Sequence, residues 1–131
     1  MDRKMFHKGA LIFREGDMAD CMYAVYSGRV GVFAGYGTAE EKLLAEYTQD
    51  QYFGEMGLLE HAPRSAAAVA LEDDTCLEAV NEESFLAYFR EHPNQVLRIM
   101  QQLSGNLRKA SRDYADTCRR IAELSAEEDA K

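Results

Sequence analysis

The chain is poor in several of the features that mark specialised protein classes. It has no tryptophan, two prolines, and 15 lysines and arginines against 23 aspartates and glutamates. The shortage of basic residues leaves a formal net charge of −8. Nucleic-acid affinity rests largely on Lys and Arg neutralising phosphates, so direct DNA binding is not expected. Long hydrophobic runs are missing too. The longest apolar stretch, Ala66 to Leu71, is far below the roughly 20 residues a spanning helix needs. Met1-Asp2-Arg3-Lys4 leads into no apolar segment of signal-peptide length. A cytoplasmic protein without membrane association is expected. Cysteine is scarce and scattered: Cys21, Cys76 and Cys118 form neither a disulfide framework nor a metal-binding pair. Three reduced thiols, one or two of them buried, are the expectation.

What is present belongs to an ordinary folded globule: 47% hydrophobic and 29% charged residues over a length that suits one core. The sequence changes character near Pro93, so a β-rich segment 1–92 and a helical segment 93–131 are expected. Before Pro93, short apolar runs are punctuated by Gly9, Gly16, Gly28, Gly35, Gly37 and Gly54, the pattern of short strands joined by turns. Leu11–Phe13, Met22–Tyr26, Arg29–Ala34, Leu43–Tyr47, Ser65–Leu71 and Thr75–Val80 read as strands. The second and third of these read as a hairpin around Ser27-Gly28. Asn81 is a good N-cap for a short helix over 82–90, and Pro93 suits the first turn of a longer one.

Beyond Pro93 the period becomes helical. Val96, Met100, Leu103, Leu107, Ala110, Tyr114, Thr117, Ile121 and Leu124 recur at alternating steps of four and three, a heptad seam. A helix over 94–124 would be about 46 Å long at 1.5 Å per residue. The β segment can cover only part of that length. A second copy of the helix is the simplest cover, so a homodimer through 93–124 is expected. Residues 125–131 are expected to fray.

The segment with chemical content is Phe53-Gly54-Glu55-Met56-Gly57-Leu58-Leu59-Glu60-His61-Ala62-Pro63-Arg64-Ser65-Ala66. Gly54 lets a ligand approach the backbone closely. Residues 55–59 can form a helical turn whose free amides favour an anion. Glu55 offers two acceptors suited to a sugar hydroxyl, and Arg64 a planar fork of donors suited to phosphate oxygens. Ser65 and the amide of Ala66 could complete the cradle.

This stretch resembles the phosphate-binding cassette of cyclic-nucleotide-binding domains, whose pattern is close to F-G-E-[LI]-x-L-x4-P-R-[SAT]-A, with Met56 as a mild variation. Gly9, Ile12-Phe13, Glu15-Gly16-Asp17, Asp20, Met22-Tyr23 and Ser27-Gly28 resemble the family's opening strands and turns. The likeness spans about residues 6 to 124. It implies an eight-stranded antiparallel β-roll, jelly-roll-like, followed by a short helix and a long dimerisation helix. It also implies a cyclic nucleotide, cAMP or cGMP, inside the roll. Glu55 would accept from the ribose hydroxyl and Arg64 would pair with the cyclic phosphate. Gly54, Met56, Ser65 and Ala66 would complete the cassette, Val32, Leu44 and Tyr47 would wall the base and sugar, and Ser111 would reach the base from the long helix. The family's usual glycine before the cassette is replaced within Gln49-Asp50-Gln51, Ala67 stands where a hydroxyl is common, and Glu72-Asp73-Asp74 carries an extra residue.

Only a few residues follow Leu124, too few for a helix-turn-helix. The expected function is therefore a single-domain cyclic-nucleotide receptor, cAMP favoured, acting through an unidentified protein effector or its dimer state. The competing reading is an oligomerisation or adaptor module with a vestigial pocket, in which Arg64 would be tied to an acidic neighbour. A cupin-type metal enzyme is disfavoured because His7, His61 and His92 stand singly. Sensing through haem or an iron–sulfur cluster has no support in the sequence, and clusters would need grouped cysteines. No catalytic set is legible, and neither enzyme activity nor a cofactor is expected.

Overall fold

The computed structural model describes residues 3–60 and 62–129, without the side chains of residues 56–58 and 89. Met1, Asp2, His61, Ala130 and Lys131, each covered by a sequence expectation, lie outside the described residues. The chain divides into two compact units, Met1–Pro93 and Asn94–Lys131.

The first unit holds eight strands: β1 (Arg3–Phe6), β2 (Leu11–Phe13), β3 (Cys21–Ser27), β4 (Val30–Ala34), β5 (Lys42–Tyr47), β6 (Tyr52–Phe53), β7 (Ala67–Ala70) and β8 (Thr75–Asn81). A short helix α1 (Glu55–Glu60) precedes β7, and α2 (Glu82–Glu91) follows β8. The strands form two four-stranded sheets, ordered β1-β8-β3-β6 and β2-β7-β4-β5. Every pairing is antiparallel. This is the expected β-roll.

The sheets meet over Val25, Val30, Phe53, Ala68 and Leu77, with Phe13, Tyr23, Val32 and Tyr47 packed against them. Strand β7, Ala-Ala-Val-Ala, is buried along its whole length. A run of small apolar residues without polar alternation suits a strand covered on both faces.

Three details differ from expectation. Strands β3 and β4 are not a hairpin: β3 pairs with β8 and β6, while β4 pairs with β7 and β5. The turn at Gly28 carries the chain from one sheet to the other. Gly28 has φ +84°, and a Cβ there would fall 2.6 Å from the Cα of Thr75, so only glycine lets the turn lie on β8. None of the three cysteines is fully buried, since Cys21 and Cys76 are half-buried and Cys118 is exposed. Strands β1 and β6 were not expected from the sequence; β1 is charge-rich and at a sheet edge, and β6 is two residues long.

The N-cap of α2 forms as expected. The Asn81 side chain accepts from the amide of Ser84 at 2.8 Å, and the Ser84 hydroxyl accepts from the Asn81 amide at 2.9 Å, a reciprocal capping box.

Helix α3 (Pro93–Asp129) has 37 residues, about 55 Å at 1.5 Å per residue. It continues past Leu124 to Asp129, into the segment expected to fray. Met100, Leu107, Tyr114 and Ile121, spaced by seven, are all exposed on this helix, as is Leu124.

Candidate functional site

Arg64 is placed by the chain around it before its side chain makes any contact. Its amide donates to the carbonyl of Asp17 at 2.8 Å, and its carbonyl accepts from the amide of Gly16 at 2.7 Å. The turn after β2 is itself pinned, because the amide of Arg14 donates to Oδ2 of Asp17 at 2.9 Å. The Glu15-Gly16-Asp17 turn therefore holds the backbone of Arg64 on both sides, and the side chain runs inward.

Arg64 is 8% exposed there. Nη1 donates to the carbonyl of Gly54 at 2.8 Å, and Nη2 to the carbonyl of Cys21 at 2.7 Å. Its Cζ lies 4.2 Å from the ring centre of Phe13 and 5.8 Å from that of Tyr23. Among the described residues Arg64 forms no ion pair. A buried cation whose contacts among the described residues are carbonyls and ring faces, with no carboxylate within ion-pair distance, is open to an incoming anion.

Arg64 lines a cavity of about 140 Å³ together with Phe13, Val32, Tyr47, Phe53, Gly54, Glu55, Ala62, Pro63, Ser65 and Ala66. The cavity thus brings together Gly54, Glu55, Arg64, Ser65, Ala66, Val32 and Tyr47. Gly54 has φ +76°, and a Cβ there would lie 2.7 Å from Nη1 of Arg64. Here glycine serves both the backbone conformation and the close approach of the guanidinium. The carboxylate of Glu55 sits near Tyr47: burial first, and then the charge of Glu55, push the Tyr47 hydroxyl above its ordinary pKa. Phe53 stacks on Tyr47 and Tyr23, with ring centres 5.6 Å and 5.3 Å apart, and forms the floor. The Tyr23 hydroxyl is pushed up to about 12, chiefly by burial and then by Cys21.

Three expected site residues fall elsewhere or cannot be placed by side chain. Leu44 is 44% exposed and does not line the cavity. Side chains alternate along a strand, so Leu44 shares the outer face of β5 with Glu46, while Ala45 and Tyr47 turn inward. A β-bulge opposite Val32 and Phe33 shifts the register at this point. Ser111 is exposed on α3, in the second unit. Met56 belongs to α1, and its side chain lies outside the described residues.

Phe13, Cys21, Ala62 and Pro63 were not singled out as site residues by sequence reasoning, yet all four touch the cavity or the guanidinium. Cys21 contributes through its carbonyl, for which the sequence carries no signal. Phe13 lies three residues before Gly16, and that proximity to the turn was the available clue.

The model of the cyclic nucleotide-binding domain matches residues 3–92. The chain belongs to the cyclic nucleotide-binding domain family. Among curated relatives, the cyclic AMP receptor protein of Thermus thermophilus is 38% identical over 108 residues, which cover 82% of this chain and 50% of that protein. The crystal structure of the Thermus thermophilus catabolite activator protein superposes with a TM-score of 0.71 at 37% identity, over 84% of this chain and 51% of that one. The EAL enzyme Bd1971 is also similar. Its cAMP-bound form matches at TM-score 0.60 and 34% identity, over 83% of this chain and 29% of that one. Its cGMP-bound form matches at 0.59 and 33%, over 82% and 28%. The chain thus spans about half the length of the Thermus relative and less of the enzyme.

Among the described residues no cluster of His, Cys, Asp and Glu could hold a metal ion, and no helix is long and apolar enough to cross a membrane.

Proposed function

We propose that this domain binds a cyclic nucleotide, cAMP in preference to cGMP, as a signalling receptor that acts through a protein effector or through its dimer state and catalyses no reaction itself. The observation that carries the reading is Arg64: nine-tenths buried, without an ion pair among the described residues, and on the wall of the cavity that Glu55 also lines. In this reading the free donors of the guanidinium take two phosphate oxygens, since a bidentate contact suits its planar fork. Glu55 accepts from the ribose hydroxyl. The amides of Gly54 and Ala66 and the hydroxyl of Ser65 complete the phosphate contacts, and Val32 and Tyr47 wall the sugar and base. The preference for cAMP rests on the Thermus relative, which is named for cyclic AMP. The exposed seam of α3, from Met100 to Leu124, supports a homodimer. The net charge of −8 supports a function without direct DNA contact by this domain.

One observation favours a second reading, a vestigial pocket on an oligomerisation module. The cavity of about 140 Å³ is below the roughly 300 Å³ at which small-molecule sites begin. Calorimetric titration with cAMP and then cGMP separates the two. Saturable binding is expected for wild type. Arg64→Ala should weaken it by about 2–4 kcal/mol, because the phosphate is left unpaired. Absence of heat with both nucleotides, together with an unchanged melting temperature, would overturn the cAMP and cGMP reading and point to a vestigial pocket or an unusual ligand.

A further inference from the structure

We infer that Phe13 is a positioning residue for the anion site: its ring is the platform that holds the guanidinium of Arg64 in the cavity. The inference rests on the proposed binding role of Arg64 and extends it to a residue outside the cassette.

The argument begins with what a buried guanidinium requires. Arg64 is 8% exposed and must replace the water it has lost. Two carbonyls, of Gly54 and Cys21, take one N–H each from Nη1 and Nη2. Those bonds fix two points at the end of the fork but leave the faces of the guanidinium plane unsupported. Phe13 supplies a face. Its ring centre is 4.2 Å from Cζ, well inside the roughly 6 Å within which a ring quadrupole attracts a cation. Tyr23, at 5.8 Å, stands at the edge of that range and acts as the weaker second ring.

Phe13 is itself held in place. It stacks on Tyr23 at 6.1 Å and tilts against Phe53 at 6.1 Å, so the platform is backed by the core. The same segment also fixes the backbone of Arg64, through Gly16 and Asp17. Strand β2 and its turn thus grip Arg64 at both ends: the turn holds its amide and carbonyl, and the ring three residues upstream holds its guanidinium. Because Phe13 lines the cavity too, an anion drawn to the free donors meets a cation whose plane is already set. Orientation fixed before binding removes an ordering cost from the binding step.

The test compares Phe13→Leu, which keeps an apolar side chain but removes the ring, with Phe13→Tyr, which keeps the ring. Both are titrated with cAMP in wild-type and Arg64→Ala backgrounds, after circular dichroism and thermal melts confirm folding. Phe13→Leu should weaken binding about five- to thirtyfold, the range of a partly desolvated cation–π contact, and Phe13→Tyr should restore it. In the Arg64→Ala background Phe13→Leu should add nothing, because the cation it supports is gone. Equal affinity of Phe13→Leu and wild type, or losses that add in the double variant, would overturn the inference. The Nε–Hε resonance of Arg64, read by NMR in the nucleotide-free protein, supplies a second readout. It should be shifted by the ring in wild type and Phe13→Tyr and move to the ordinary arginine position in Phe13→Leu. If wild type binds neither nucleotide, the receptor reading fails and this resonance alone decides: the shift lost only in Phe13→Leu supports the platform, and no change overturns it.

Discussion

Gly54→Ala tests the geometry of the site most directly, because one added methyl meets two separate constraints. The first is the backbone. At φ +76°, a residue with a Cβ incurs about 1–2 kcal/mol in the left-handed region. The second is contact: the new Cβ would lie 2.7 Å from Nη1 of Arg64 and 3.6 Å from Cε2 of Phe13. The guanidinium is the softer neighbour, so it moves and its 2.8 Å bond to the Gly54 carbonyl is lost. A hydrogen bond to a charged group contributes about 1.5–3 kcal/mol. Against these stands the reduced freedom of alanine in the unfolded chain, about 0.4–1 kcal/mol in favour of the variant. The net expectation is a destabilisation of about 2–4 kcal/mol, read as a lower urea midpoint at unchanged slope. The double variant Gly54→Ala/Arg64→Ala separates the two parts. With the guanidinium removed, only the backbone cost remains, so the combined loss should be clearly less than the sum of the single losses. A Gly54→Ala protein as stable as wild type would refute the close packing of Arg64 on Gly54. Strict additivity would refute the contact while leaving the backbone argument in place.

Other consequences are open to simple measurement. Asp50, at φ +68°, stands in the turn where the family commonly has glycine, so Asp50→Gly should raise stability by about 0.5 kcal/mol; a lower denaturation midpoint would contradict this. The Tyr23 hydroxyl, pushed up from 10.0 to about 12, stays protonated in the native state while the unfolded chain ionises. Its contribution is complete below pH 10, and stability should fall as pH rises from 10 towards 12. That fall should be reduced in Tyr23→Phe and should accompany late tyrosinate absorbance in the native protein. Leu107→Glu with Tyr114→Glu places charge at two exposed positions of the α3 seam, and sedimentation equilibrium should show wild-type dimers and variant monomers. Monomeric wild type at high concentration would exclude the dimer.

The parts of the fold that were legible are those in which residue type dictates local conformation. Asn81 announces a capped helix because its side chain satisfies a backbone amide of the first turn. The heptad spacing announces a long helix, and the glycine turns announce short strands. Pairing was less legible. The Gly28 turn looks like a hairpin locally, but it is decided by packing on Thr75, some 47 residues later in the chain. The cassette could be read because glycine, acid, proline and arginine sit at fixed spacing. The surroundings of its arginine could not, for they come from β2 and β3: a ring at Phe13 and a carbonyl at Cys21. Leu44 illustrates the remaining limit. The family resemblance placed it in the wall, and the bulge in β5 opposite Val32 and Phe33 together with strand alternation turned it out.

The net charge and the charge of Arg64 point in opposite directions, and distance resolves the conflict. The chain carries −8 overall, which by itself would repel a phosphate. A surface carboxylate some 15 Å from the cavity contributes only about 0.3 kcal/mol in water even before screening. Salt at physiological strength screens exposed charges beyond about 8 Å. A phosphate oxygen in contact with the guanidinium of Arg64 is in another regime: about 4 Å away, with an effective dielectric near 20, the attraction is about 4 kcal/mol. One buried cation therefore outweighs many distant carboxylates for a small anion that can enter the cavity. A nucleic-acid strand would gain less from it, because most of its phosphates would stay outside the cavity. The same composition that opposes a polyanion is thus compatible with selection of a single cyclic phosphate.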